Sequence, residues 1–134
     1  MDKKVQEKIY LYQILKNQEE LLSEQIMLLE QEIENSIITE NVVKELENQK
    51  GNEIFASLGK DCFMRAELKE NKILVNLGAG VLAKKSIPEA RQILEKRGEE
   101  LRKKKDELSQ RLEKILTQIE KLEPEIQKLL TQKS

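Results

Sequence analysis

The chain has 134 residues, 37% charged and only 3% aromatic, with no His, no Trp and a single Cys. So few large apolar side chains exclude a compact core of ordinary size and suit long helices that bury a narrow seam. Lys and Arg number 24 against 25 Asp and Glu, so no net field draws the chain toward nucleic acid or an anionic membrane.

The first fifty residues read as a helix. No Gly or Pro occurs before Gly51, and apolar residues fall at Val5, Tyr12, Leu15, Leu22, Ile26, Leu29 and Ile33 in steps of three, four and seven. A second row, Ile14, Leu21 and Leu28, lies beside the first, so the stripe is wider than a two-stranded seam requires. Lys8 and Glu19 interrupt it. Ser36-Ile37-Ile38-Thr39 combines β-branched residues with capping hydroxyls and predicts a kink or short break there, followed by a last helical piece from about Glu40 to Gln49.

Gly51-Asn52 is a stop signal, after which the period becomes strand-like. Glu53–Leu58 and Cys62–Leu68 flank Gly59-Lys60-Asp61. Lys72–Leu77 and Val81–Lys85 flank Gly78-Ala79-Gly80, with Lys69-Glu70-Asn71 as the turn between the pairs. Residues 53–85 are therefore expected to form two β-hairpins. Four short strands leave edges and one face open, which predicts an oligomer. Its contacts are expected at Ile54, Phe55, Leu58, Phe63, Ile73, Val75, Leu77 and Val81.

A second helix is expected over 86–134. Ser86 is its N-cap, Pro88 is tolerated in the first turn, and Glu89 completes a capping box. Ile87, Leu94, Leu101, Leu108, Ile115, Leu122 and Leu129 then recur every seven residues. That repeat calls for a left-handed supercoil with another helix. Two such helices separated by hairpins can fold back antiparallel into an arm of roughly 60 Å, given about 1.5 Å of rise per residue. Pro124 should bend or interrupt the second helix. The fold class is α+β, mainly α: a single domain with an antiparallel two-helix coiled coil and two central hairpins.

The chemistry-bearing residues point away from catalysis. Without His, neither a Ser–His nor a Cys–His pair can be built, and zinc sites of common type lack ligands within one chain. No cofactor or metal is expected. Carboxylate pairs such as Glu19/Glu20 and Glu99/Glu100 read as a solvated helix face. Gly78-Ala79-Gly80 precedes a strand, the wrong context for a phosphate loop. Arg102-Lys103-Lys104-Lys105 is bracketed by Glu99-Glu100 and Asp106-Glu107, and reads as a salt-bridged face before a nucleic-acid patch. Cys62 is expected as a small buried hydrophobe. The lone cysteine fits a reducing compartment, the charged N-terminal segment lacks a signal core, and no stretch approaches the roughly 20 apolar residues of a membrane span. The expected location is cytoplasmic, with no nucleic-acid or membrane partner.

The helix ends are dense in apolar surface: Val5, Ile9, Tyr10, Leu11 and Tyr12 at one, Ile126, Leu129 and Leu130 at the other. Ile9 to Tyr12 span a full turn, so one seam cannot hide all four. Such surface marks either a binding site or simple end-packing.

The middle region carries a resemblance. Leu58-Gly59-Lys60-Asp61-Cys62-Phe63-Met64-Arg65-Ala66-Glu67-Leu68, then Ile73–Val81, then Lys84-Lys85-Ser86 and Glu89-Ala90, resembles the prefoldin alpha family, with helix, two hairpins and helix in the family's order. Ser57 stands where many relatives have Pro, Lys60-Asp61 where a second small residue is usual, and Leu82 where an aromatic is frequent. The resemblance implies an ATP-independent chaperone subunit in a hexamer of two alpha and four beta subunits. Its hairpins would close an intersubunit β-barrel platform. The coiled-coil tips would hold non-native proteins and pass them to a group II chaperonin, which makes the eight end residues named above the expected client surface. The alternative is a structural coiled-coil tether with no client site.

Overall fold

The computed structural model describes residues 2–132. The elements are α1 (Lys3–Glu45), β1 (Glu53–Gly59), β2 (Cys62–Glu67), β3 (Lys72–Gly78), β4 (Val81–Ser86) and α2 (Ile87–Gln132). The class is α+β, mainly α, with two long helices and two antiparallel hairpins. The chain divides into two compact units. One holds α1 up to Glu32 and α2 from Leu101 onward; the other is Ile33–Glu100.

In the first unit the two helices run antiparallel and bury the seam that the heptads mark. Leu15, Ile119 and Leu122 form a buried cluster against which Tyr12, Ile115 and Ile126 pack. Val5, Leu29 and Leu108 are buried as well. The polar interruptions are matched by ion pairs. Lys8 reaches Glu125 across the helices at 2.9 Å, and Glu19 meets Lys16 one turn earlier at 3.5 Å. Lys105, at a polar seam position of α2, meets Glu30 at 3.4 Å.

The second unit is organised around the start of α2. Ser86 caps it: its Oγ accepts the Glu89 N–H at 3.2 Å and donates to the Glu89 carboxylate at 2.8 Å. The Ser86 N–H also reaches that carboxylate at 3.4 Å. Ile87 and Ala90, on the buried face of this first turn, pack with Val43 of α1 and Val75 of β3, and Leu46, Ile73, Ile93 and Leu94 surround them. An ion pair of Arg91 with Glu47 at 3.2 Å flanks this core.

Both hairpins follow one plan. Ser57-Leu58-Gly59 precedes a two-residue turn at Lys60-Asp61; Asn76-Leu77-Gly78 precedes one at Ala79-Gly80. All four turn residues have positive φ, between 43° and 77°, the pattern whose twist matches that of the strands. The register slips by one residue between Ser57 and Gly59 and again between Asn76 and Gly78, leaving Leu58 and Leu77 unpaired. At each slip a side-chain oxygen, from Ser57 or Asn76, accepts the N–H of the following glycine. The two sheets are separate and two-stranded, so every strand keeps one free edge.

Neither helix breaks at the two places where the sequence allows a break, and α1 ends earlier than expected. Helix α1 runs unbroken through Ser36–Thr39. Weak β-branched propensities lose to packing, and the Thr39 hydroxyl donates to the Asn35 carbonyl one turn back at 2.9 Å. The same helix ends at Glu45 instead of Gln49, where Asn48, with φ of 67°, takes the left-handed conformation that stops it. Helix α2 is not interrupted at Pro124. The proline is exposed, so water can satisfy the carbonyl that its missing N–H leaves free.

Candidate functional site

Two surfaces offer contacts: the hairpin faces in one unit and the helix ends in the other. On the second hairpin, alternation sorts the side chains. Val75 faces Ala83 and Ile73 faces Lys85 on the side that packs on the helices; Leu74 with Lys84 and Asn76 with Leu82 lie on the opposite side. Val75 is thus buried in its own chain and Ile73 half-buried, and both pack the hairpin onto the helices. Leu74 and Leu82 are 64% and 58% exposed, and they are the residues that composition alone did not separate from Ile73 and Val75. The period-two pattern, anchored on the helix-facing pair, is the signal that finds them.

On the first hairpin, Phe55 pairs with Arg65 and Ser57 with Phe63 on one face, and both phenylalanines are more than 60% exposed. Ile54, Ala56 and Ala66 are half-buried on the other face, beside exposed Met64. The bulged Leu58 and Leu77 and the turn-flanking Val81 are also exposed. Cys62 is exposed too, against expectation, because it flanks a turn whose face none of the described residues covers. A salt bridge of Arg65 with Glu53 ties β2 to β1, and one of Lys84 with Glu70 ties β4 to the connector between the hairpins. The Lys84 ammonium, by hydrogen bonding, holds the Glu70 carboxyl below its ordinary value.

At the helix ends, Tyr10, Leu11 and Leu130 are exposed; Ile9, Tyr12, Ile126 and Leu129 are half-buried; Val5 is fully buried. Val5 is therefore a packing residue and offers no surface. The Tyr12 hydroxyl donates to Glu123 at 2.8 Å, which raises its pKa by favouring the neutral phenol, and the Lys16 ammonium lies 5.8 Å from the centre of its ring. The ring body stays partly open while its polar tip is engaged.

The basic run at Arg102–Lys105 forms no ion pair with Glu99, Glu100, Asp106 or Glu107 among the described residues; Lys105 pairs instead with Glu30. Exposed pairs of this kind contribute little, so the other side chains stay solvated. Among the described residues no group of three His, Cys, Asp or Glu is placed to hold a metal ion, and no helix is long and apolar enough to cross a membrane.

Residues 15–132 match the family model for the prefoldin subunit. The chain is 31% identical over 100 residues to prefoldin subunit alpha 1 of Thermococcus kodakarensis, covering 73% of this chain and 68% of that one. It is 33% identical over 94 residues to prefoldin subunit alpha of Thermofilum pendens, covering 67% and 71%. The match to the alpha subunit of Methanosphaera stadtmanae, 31% over 81 residues and 60% of this chain, spans only 59% of that relative's length. A filamentous prefoldin from Methanocaldococcus jannaschii shares the fold at a TM-score of 0.73 and 21% identity, covering 85% of this chain and 96% of that one. Two heptad helices around a pair of bulged, glycine-turned hairpins, matched in sequence along most of their length, make this chain a member of the prefoldin alpha subunit family.

Proposed function

We propose that the chain is a subunit of an ATP-independent chaperone that binds non-native proteins without catalysis. The observation that carries this reading is the pair of two-stranded sheets, each with free edges and exposed apolar side chains that none of the described residues covers. Phe55, Phe63, Leu74 and Leu82, with the bulged Leu58 and Leu77 and the adjacent Val81, are the contacts we assign to neighbouring subunits. Strand edges and apolar faces of this kind are stable only when paired or covered. In this reading the hairpins close a barrel platform shared by two alpha and four beta subunits, in the cytoplasm; the relatives named prefoldin subunit alpha support the assignment of this chain as an alpha-type subunit.

Ile9, Tyr10, Leu11, Tyr12, Ile126, Leu129 and Leu130 form the client surface in this reading, with Tyr10, Leu11 and Leu130 the first to be met. A holdase needs adaptable apolar contacts because its clients share no sequence, and bound clients would pass to a group II chaperonin. The test combines the chain with a beta-type partner and measures solution mass and protection of an unfolded protein from aggregation. Phe63→Asp with Leu82→Asp should prevent assembly while leaving the helical circular dichroism of the lone chain intact. Normal assembly of that variant, or no client protection by the unmodified complex, would sink the proposal.

A further inference from the structure

The helix-pair unit carries apolar surface that neither its seam nor its ends explain. Ile14, Leu21 and Leu28 repeat every seven residues beside the seam residues Leu15, Leu22 and Leu29. Leu21 and Leu28 are 61% and 57% exposed. Positions that met only water would be filled by Glu, Lys or Gln in so charged a chain.

These two leucines are one ridge of a groove between the helices. Seam residues Leu22 and Leu29 of α1, with Ile115 and Leu108 of α2, lie at its base. Its two stretches, of 490 and 280 Å³, meet at Gln25, so the concavity is elongated and suits a chain segment better than a compact ligand. The facing ridge is cationic, Lys104, Arg111 and Lys114, and outnumbers Glu32, the one acidic side chain among the residues that line the groove. Among the described residues none of the three forms an ion pair, whereas Lys105, next along the helix, is held by Glu30.

We infer that this groove binds an acidic amphipathic helix of another polypeptide. Both ridges repeat at helical spacing, so the occupant is a helix with apolar residues every three to four positions. Its apolar side lies on Leu21 and Leu28, and its Asp or Glu residues face Lys104, Arg111 and Lys114. A basic helix would set like charge against like, and an uncharged one would leave three cations beside it without partners. The site is separate from the hairpin faces and from Tyr10, Leu11 and Leu130.

The test uses two fluorescein-labelled helical peptides against the full chain, read by anisotropy. Both have Leu at alternating three- and four-residue steps; one carries Glu on the flanks, the other Lys. The Glu peptide should bind on the order of tenfold more tightly, a difference that salt erodes. Arg111→Glu with Lys114→Glu should reverse the preference. Leu21→Gln with Leu28→Gln should weaken the Glu peptide by a similar factor without loss of helical signal. Tyr10→Ser with Leu130→Ser should leave it bound. Equal affinity for the two peptides, or a Glu-peptide affinity indifferent to the charge reversal, overturns the inference. So does loss of binding in the Tyr10/Leu130 variant, which would move the contact to the helix ends. Self-association that Leu21→Gln with Leu28→Gln dissolves also overturns it, by giving the groove to a second copy of this chain.

Discussion

Ile87 sits where β4 becomes α2 and is 1% exposed, packed with Val43, Val75 and Ala90. Truncating such a side chain removes its transfer free energy and leaves a cavity, so Ile87→Ala should destabilise the chain by about 2–5 kcal/mol. Phe55→Ala, at a residue 68% exposed, should change urea unfolding of the unassembled chain little. Equal effects would show that the lone chain covers its hairpin faces. Glu89, in the same turn, gives a pH signature. Its hydrogen bonds from the Ser86 hydroxyl and N–H hold its carboxyl below the ordinary 4.5. The unfolded chain then binds the proton more readily, so the stabilisation is complete above about pH 4.5 and lost as pH falls through the lowered folded value. Glu89→Gln should flatten the stability curve in that acid window relative to the unmodified chain. An unchanged acid slope would exclude the cap as its source. This cap was legible in the letters Ser-Ile-Pro-Glu. The exposure of Cys62 was not, because an apolar strand reads alike whether its own chain or a partner covers it.

At the scale of elements, periodicity carried most of the architecture. The seven-residue repeat from Ile87 to Leu129 marked α2, and the glycine turns marked both hairpins with strand limits within a residue or so. What misled was local propensity. Ile37-Ile38-Thr39 disfavours helix by only a few tenths of a kcal/mol per residue. Burial of Val43 one turn beyond outweighs that. Which hairpin residues face the helices also escaped, since both faces of β3 are apolar and only tertiary packing separates Val75 from Leu74. Pro124 gives the clearest test of local against global terms. It lies inside α2, exposed, between the buried Leu122 and the half-buried Ile126. Pro124→Ala restores a backbone hydrogen bond and should stabilise the chain by up to about 3 kcal/mol in urea unfolding. No gain would mean that the helix is already relaxed around the ring and that the missing bond is fully replaced by water.

For the whole molecule, the proposed chaperone role asks weak surfaces to act together. Among the described residues the two helix ends together offer Tyr10, Leu11 and Leu130 as openly exposed apolar side chains, backed by half-buried Ile9, Tyr12, Ile126 and Leu129. Such a patch holds a client loosely, and strength arises when several ends in one complex reach the same chain at high effective concentration. Replacing Tyr10, Leu11 and Leu130 with Ser should leave assembly mass unchanged, because these residues are remote in sequence from the hairpins and absent from either core cluster. It should strongly reduce suppression of client aggregation. In complexes assembled from mixtures of unmodified and substituted chain, protection should fall more steeply than the fraction of substituted chain rises, since each lost contact lowers the residence of all the others. A strictly proportional fall would mean that each end works alone. Full protection by the wholly substituted complex would move the client surface elsewhere, and the groove between the Leu21/Leu28 ridge and the Lys104/Arg111/Lys114 ridge would then be the place to look, because it pairs exposed leucine with unpaired charge.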